Sequence, residues 1–240
     1  MLWTLCAEPR AFAPLRLVCF PHAGGWPFFF QSWSKELTDF ELRSVCYPGR
    51  ADRVVEEPVR ELVPMARLIA EEIAASADDR RLVLFGHSMG AIVAYETARA
   101  LEARDRPVDR LIVSGARAPQ LMAAGSPKVP RGEQAVIETV TELGGTDPEL
   151  LRDPDFRELL LPAITADFEM LGAYVQTDRT PLECAVTALV ADADPRVTVA
   201  EAAAWRESTR GPFRLRTVPG GHFYLASDPP FDAVREDCGL

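Results

Sequence analysis

Residues 86–90 read Gly-His-Ser-Met-Gly. A serine at the centre of a G-x-S-x-G pentapeptide can attack an acyl carbon. In such a nucleophile elbow the chain turns sharply from a strand into a helix, and the serine oxygen projects from the top of a sheet. Gly86 and Gly90 leave room for the close packing that this turn requires. The helix N-terminus behind the serine supplies partial positive charge where an oxyanion would form. The pentapeptide alone is a weak signal, and its setting carries the weight. The apolar run 82–85 before it reads as a buried strand, and the Ala-rich run 91–101 after it reads as a helix. Ser88 is therefore the candidate nucleophile, and the chemistry is acyl transfer through a covalent acyl-enzyme.

A serine nucleophile needs a base, normally histidine, and the chain has three histidines. His87 adjoins Ser88 within the elbow, so its side chain is expected to point away from the nucleophile. His22 comes too early in the chain and is expected to shape its own loop. With an elbow of this kind the partners follow in the order serine, acid, histidine. His222, in the loop Pro219-Gly-Gly-His-Phe, fits that order. The acid that orients the imidazole should follow a late strand. The run after strand 184–191 offers Asp192 and Asp194. Pro195 holds the backbone before it extended, which favours Asp194, and Asp192 stays open. Two backbone N–H groups should hold the oxyanion. One is that of Met89, the residue after the nucleophile. The other is assigned to Ala23, in the glycine-containing loop Phe20-Pro-His-Ala-Gly-Gly25.

These residues need a scaffold. Apolar runs at 15–21, 42–47, 82–85, 111–114, 184–191 and 213–218 read as strands. Helical spacing, such as Leu62, Met65, Ile69 and Ile73 within 62–77, separates them. A further helix is expected at 199–206. Strands apolar on both faces and separated by helices imply a mostly parallel sheet covered on both sides. With the elbow, the expectation is a single α/β-hydrolase domain over 1–240. Between 117 and 181 no strand is expected, only helical patterns around 133–143, 155–161 and 166–175, punctuated by Gly144-Gly145 and Pro148. Such a helical insertion reads as a lid or substrate-binding subdomain.

Composition narrows the partners. The net charge of −10 disfavours nucleic acid, whose phosphates would be repelled. No apolar run reaches the length of a membrane span, and residues 1–14 lack the basic start of a signal peptide. The five cysteines show no paired close spacing, so neither a metal site nor a disulfide framework is expected. A cytoplasmic protein, monomeric by default and without metal or cofactor, is the expectation.

The ordered set Cys19-Phe-Pro-His-Ala-Gly-Gly25, Tyr47-Pro-Gly-Arg50, Gly86-His-Ser-Met-Gly90, Asp194-Pro-Arg-Val197 and Pro219-Gly-Gly-His-Phe-Tyr224 resembles the type II thioesterases of polyketide and non-ribosomal peptide synthesis. Leu143-Gly-Gly-Thr146 and Leu161-Pro-Ala-Ile-Thr-Ala-Asp167 are similar as well. The resemblance runs nearly end to end. It implies a separate, stand-alone enzyme that removes stalled or wrong acyl groups from the phosphopantetheine arm of carrier proteins. It maps the triad onto Ser88, Asp194 and His222. The family often has glycine where this chain has Ala191. Carrier proteins are commonly acidic, so docking on this acidic chain needs a local basic or apolar patch. Arg117, Lys128 and Arg131 are candidates. The competing readings are an esterase for small oxygen esters, an acyltransferase, and a non-catalytic acyl- or carrier-binding module, which would have no need of a triad.

Overall fold

The computed structural model describes residues 2–76, 79–123, 126, 129–143 and 153–240. Among them, β1 (Thr4–Leu5), β2 (Leu15–Phe20), β3 (Phe40–Val45), β4 (Arg81–His87), β5 (Arg110–Ser114), β6 (Ala185–Ala191) and β7 (Phe213–Val218) form one sheet. Its order is β1-β3-β2-β4-β5-β6-β7. β1 pairs antiparallel with β3, and every other pairing is parallel. The helices are α1 (Trp33–Glu36), α2 (Leu62–Ala75), α3 (Met89–Glu102), α4 (Glu133–Leu143), α5 (Pro154–Ala173), α6 (Val199–Ala203), α7 (Tyr224–Ser227) and α8 (Phe231–Cys238).

The sheet is covered on both faces because its strands are apolar on both. Successive side chains of a strand point to opposite sides. In β4, Leu82 and Leu84 accordingly join the core beneath α2 and α3. Val83 and Phe85 join a second core with Trp33 of α1 and Val234 of α8. β2 divides in the same way, with Val18 and Phe20 on one side and Leu17 and Cys19 on the other. The Trp33 ring meets Phe85 at 4.9 Å and Phe231 at 5.4 Å, edge-on in both cases. Burying an aromatic of this size contributes about 2–3 kcal/mol. α2 turns Leu62, Met65, Ile69 and Ile73 inward at the spacing of one helical face. α3 is buried along nearly its whole length, and its alanines permit that close approach.

The strands and helices expected from the sequence are present, with shifted ends. β3 begins two residues earlier than expected, because Phe40 and Glu41 are already in register with Leu15 and Arg16. Cys46 instead donates to Trp3 O at 2.9 Å. β1 was not expected. Glu72 on α2 accepts from the backbone N–H of Trp3 and from the N–H and hydroxyl of Thr4, and so ties the strand down. The two helical patterns at 155–161 and 166–175 are one helix, α5, with Pro162 inside it. Pro162 is exposed, so water can take the carbonyl its missing N–H leaves free. The helix expected at 199–206 is α6, followed by a 3₁₀ turn, Ala204–Ser208. Between β5 and β6 no described residue lies in a strand, and α4 and α5 occupy that stretch. Lys128, Gly144, Gly145, Thr146 and Pro148 lie outside the described residues.

Candidate active site

Ser88 stands between the end of β4 and the start of α3, with φ 55° and ψ −119°. Few non-glycine residues adopt such a conformation, and it costs about 1–3 kcal/mol. Its surroundings hold it there. Ser88 N–H donates to Ser114 O at 2.8 Å, and Ser88 O accepts from Ala91 N–H at 3.0 Å. The two glycines of the motif are sterically required. A Cβ on Gly86 would lie 2.3 Å from Gly90 O, and one on Gly90 would lie 2.0 Å from Phe20 O. The turn is thus wedged between the end of β2 and the first turn of α3.

His222 lies in the loop after β7. Its Nδ1 is 2.9 Å from Asp194 Oδ2, and both side chains are buried. The other carboxylate oxygen of Asp194 accepts from the N–H groups of Arg196, at 2.8 Å, and Val197, at 3.3 Å. Those bonds fix the face that Asp194 turns to the imidazole. Asp192 is exposed and accepts from Gly220 N–H at 3.0 Å. With Ala193 N–H donating to Gly220 O at 3.0 Å, it stitches the β6 loop to the β7 loop. The two aspartates therefore serve the same histidine loop, one at the ring and one at the backbone.

The other two histidines are buried beside the first. His87 Nδ1 is 3.0 Å from Ser114 Oγ, which is 2.8 Å from Tyr224 Oη. The His87 ring lies 5.0 Å from that of His222. The His87 ring is fully buried beside the candidate base. Burial, then the neighbouring His222 and His22, hold the His87 pKa well below the ordinary histidine value. His22 packs edge-on against Phe223 at 4.6 Å and Phe29 at 5.0 Å. Burial first, then His222 and Arg50, push its pKa down to about 3. Both rings are neutral at ordinary pH.

Ala23 and Met89 flank the serine. Met89 opens α3, so its N–H is one of the donors without a partner in the helix. Among the described residues no hydrogen bond engages the N–H of Ala23 or of Met89. The loop beyond Ala23 is gripped from outside. Gly24 N–H donates to Asp167 Oδ2 at 2.8 Å, and Asp167 pairs with Arg50. Ser88, His222 and Ala23 line a cleft of about 770 Å³, part of it open to solvent. Ile92 of α3, Val140 of α4, and Phe168 and Leu171 of α5 make its apolar side, and Arg117 and Arg196 also line it. Of the basic residues expected near the lid, Arg117 thus reaches the cleft, and Arg131 is exposed just before α4.

Sequence reasoning gave no role to Arg50, Asp167, Arg196, Ser114 or Tyr224. Arg50, Asp167, Arg196 and Tyr224 stand in the quoted motifs, but neither spacing nor periodicity says which distant residues they meet.

The parallel sheet with its antiparallel first strand, the elbow at its centre and the buried imidazole–carboxylate pair after its last strands define an α/β-hydrolase. Residues 15–239 match the model of the thioesterase domain family. The chain is 40% identical over 227 residues to thioesterase PikA5 of Streptomyces venezuelae, covering 93% of this chain and 80% of that one. It superposes on the structure of BorB, the type II thioesterase of the borrelidin biosynthetic cluster, with a TM-score of 0.88 at 33% identity over 98% of this chain and 97% of BorB. RedJ, the thioesterase of the prodiginine pathway in Streptomyces coelicolor, gives 0.82 at 38% identity over 97% and 89%. The chain belongs to the thioesterase domain family, hydrolases that cleave thioesters through a serine.

Proposed function

We propose that this enzyme is a type II, editing thioesterase. It releases stalled or aberrant acyl groups from the phosphopantetheine arm of carrier proteins in polyketide or non-ribosomal peptide synthesis. The observation that carries this is the match over nearly the full length of both chains to BorB, whose described role is that of a type II thioesterase in a biosynthetic cluster.

The reaction runs in two halves. Ser88 Oγ attacks the thioester carbonyl as its proton passes to His222 Nε2, while His222 Nδ1–H donates to Asp194. The N–H groups of Ala23 and Met89 hold the tetrahedral oxyanion, each worth about 3 kcal/mol in the transition state. The carbon–sulfur bond breaks, and the arm leaves as a thiol with the proton from His222. Water then attacks the acyl-enzyme, giving its proton to His222, and the collapsing intermediate returns Ser88 as a hydroxyl with the free acid. No metal or redox group enters these steps. The stretch carrying α4 and α5 acts as the acyl-binding lid, its apolar side chains facing the chain to be cleaved. Arg117 and Arg196 receive the phosphate of the arm, which lets an acidic enzyme bind an acidic carrier locally.

The test is acyl release from acetyl- and propionyl-carrier protein by the wild type and by Ser88→Ala. Free acid from the wild type and at least ~10³-fold less from the variant is the expected result. Hydrolysis of simple oxygen esters with carrier thioesters left intact would replace this function with that of an esterase. Capture of the acyl group by added alcohols or amines would make it a transferase. Binding of the carrier without turnover of either substrate would leave a binding module. The same assay on free pantetheine and phosphopantetheine thioesters checks the arginines: a KM no higher without the phosphate removes their role.

A further inference from the structure

The candidate oxyanion loop is anchored by residues that come from two distant parts of the chain. Asp167 lies on α5, and Arg50 in the loop after β3. Arg50 Nη1 donates to Asp167 Oδ2 at 2.7 Å, and Nη2 to Oδ1 at 2.9 Å. Only 3% of the Arg50 side chain and 5% of the Asp167 side chain are exposed. This buried fork grips two backbone groups. Asp167 Oδ2 accepts from Gly24 N–H at 2.8 Å, and Arg50 Nη1 donates to Gly25 O at 3.2 Å. Those groups lie one and two residues beyond Ala23. Tyr47, from the same loop as Arg50, donates to Pro21 O at 3.2 Å on the other side.

Sterics reinforce the arrangement. A Cβ on Gly24 would come 3.2 Å from the Ile164 side chain, and one on Gly49 would come 2.8 Å from the Ala163 Cβ. Gly24 and Gly49 also have φ of 75° and 82°. α5 therefore seats directly on both loops, through Ala163, Ile164 and Asp167. A buried ion pair is a poor source of net stability, since desolvation of the two charges offsets most of their attraction. What such a pair provides is fixed geometry. The geometry fixed here is that of the loop carrying Ala23, where a donor must be aimed at a developing charge to within tenths of an ångström.

We propose that Arg50 and Asp167 are a positioning pair for the oxyanion loop, so that the aim of the Ala23 N–H depends on α5 being docked. This builds on the reading of Ser88 as nucleophile and Ala23 as oxyanion donor. Because α5 also presents Phe168 and Leu171 to the cleft, one helix both lines the acyl site and holds the loop that stabilises the transition state.

Arg50→Lys tests the proposal. Lysine keeps the buried charge of Asp167 compensated but cannot reproduce the fork. With acetyl-pantetheine thioester, kcat should fall about 10-fold while KM changes less than about 2-fold. Affinity for a boronic acid that mimics the tetrahedral intermediate should fall by the same factor as kcat/KM. The double variant Arg50→Met/Asp167→Leu leaves no uncompensated charge and should lose more of kcat still. A folded Arg50→Lys with wild-type kcat, or one in which KM alone rises, overturns the proposal. Ser88→Ala run alongside separates the two levels. If it is inactive and Arg50→Lys is unimpaired, the positioning role alone falls. If it still turns over, the nucleophile assignment falls and takes the positioning role with it.

Discussion

Asp192 and Asp194 stand two residues apart in one loop, yet they bind different things. Asp194 meets the His222 ring at 2.9 Å, and Asp192 meets the Gly220 backbone. Asp194→Asn should lower kcat about 10³–10⁴-fold, because an amide cannot hold the imidazole in its tautomer or stabilise its charged form. Asp192→Asn, which keeps an acceptor for Gly220, should change kcat less than about 3-fold. Steady-state rates on one thioester decide this, and equal losses would remove the distinction. Ser88 and His222 were legible in the sequence because a short motif and chain order specify them. Between the aspartates the sequence favoured Asp194 and left Asp192 open, because which carboxylate meets the ring depends on the two backbone N–H groups that hold it. Arg50 and Asp167 were less legible still, being 117 positions apart.

The elbow is an element whose function depends on atoms that are absent. A Cβ at position 90 would occupy the space of Phe20 O, a backbone atom that cannot swing aside. Gly90→Ala should therefore push the start of α3 away from the end of β2, moving Met89 and Ser88 together. We expect a loss of about 2–4 kcal/mol in stability and a loss of activity in the fraction that still folds. Denaturant melts with active-site titration of the folded fraction measure both, and a fully active, stable variant would contradict the steric argument. α2 was readable from its helical apolar spacing and α3 from its alanine-rich composition. α5 was read as two helices because Pro162 interrupts its pattern, whereas in the fold the proline simply faces solvent. α7 and α8 were not read at all. α7 is a single turn, and half of the residues of α8 are charged, with only Val234 and Cys238 as buried apolar residues.

For the whole molecule, the buried imidazoles set how stability responds to acid. His22 and His87 have folded pKa values below 6.5, so the unfolded chain binds protons there that the folded one refuses. Their contribution is complete above pH 6.5. Below it, each costs about 1 kcal/mol per pH unit as pH falls toward the folded values. The decline begins before ordinary carboxylates titrate. Urea melts at pH 7 and pH 5.5 should show it, and His22→Gln should flatten the slope even if it lowers the plateau. A slope unchanged by that substitution would place the acid sensitivity elsewhere. The alternation of buried strands and helices made the parallel sheet legible from sequence. β1 escaped notice because two residues carry no periodicity, and what orders it is Glu72 on a helix far along the chain.

The cysteines bear on a hazard peculiar to thioester chemistry. A thioester exchanges readily with any thiolate, so an exposed one beside the cleft could draw the acyl chain onto the wrong residue. All five cysteines are free thiols, and four of them are buried. Burial pushes Cys184 up to about 12 and Cys238 up to about 11. It raises Cys19, Cys46 and the half-buried Cys6 as well. The thiolate form, the only one that exchanges, is suppressed throughout. Burial thus disfavours the thiolate at all five sulfurs, which limits their competition with a serine oxygen for an acyl group.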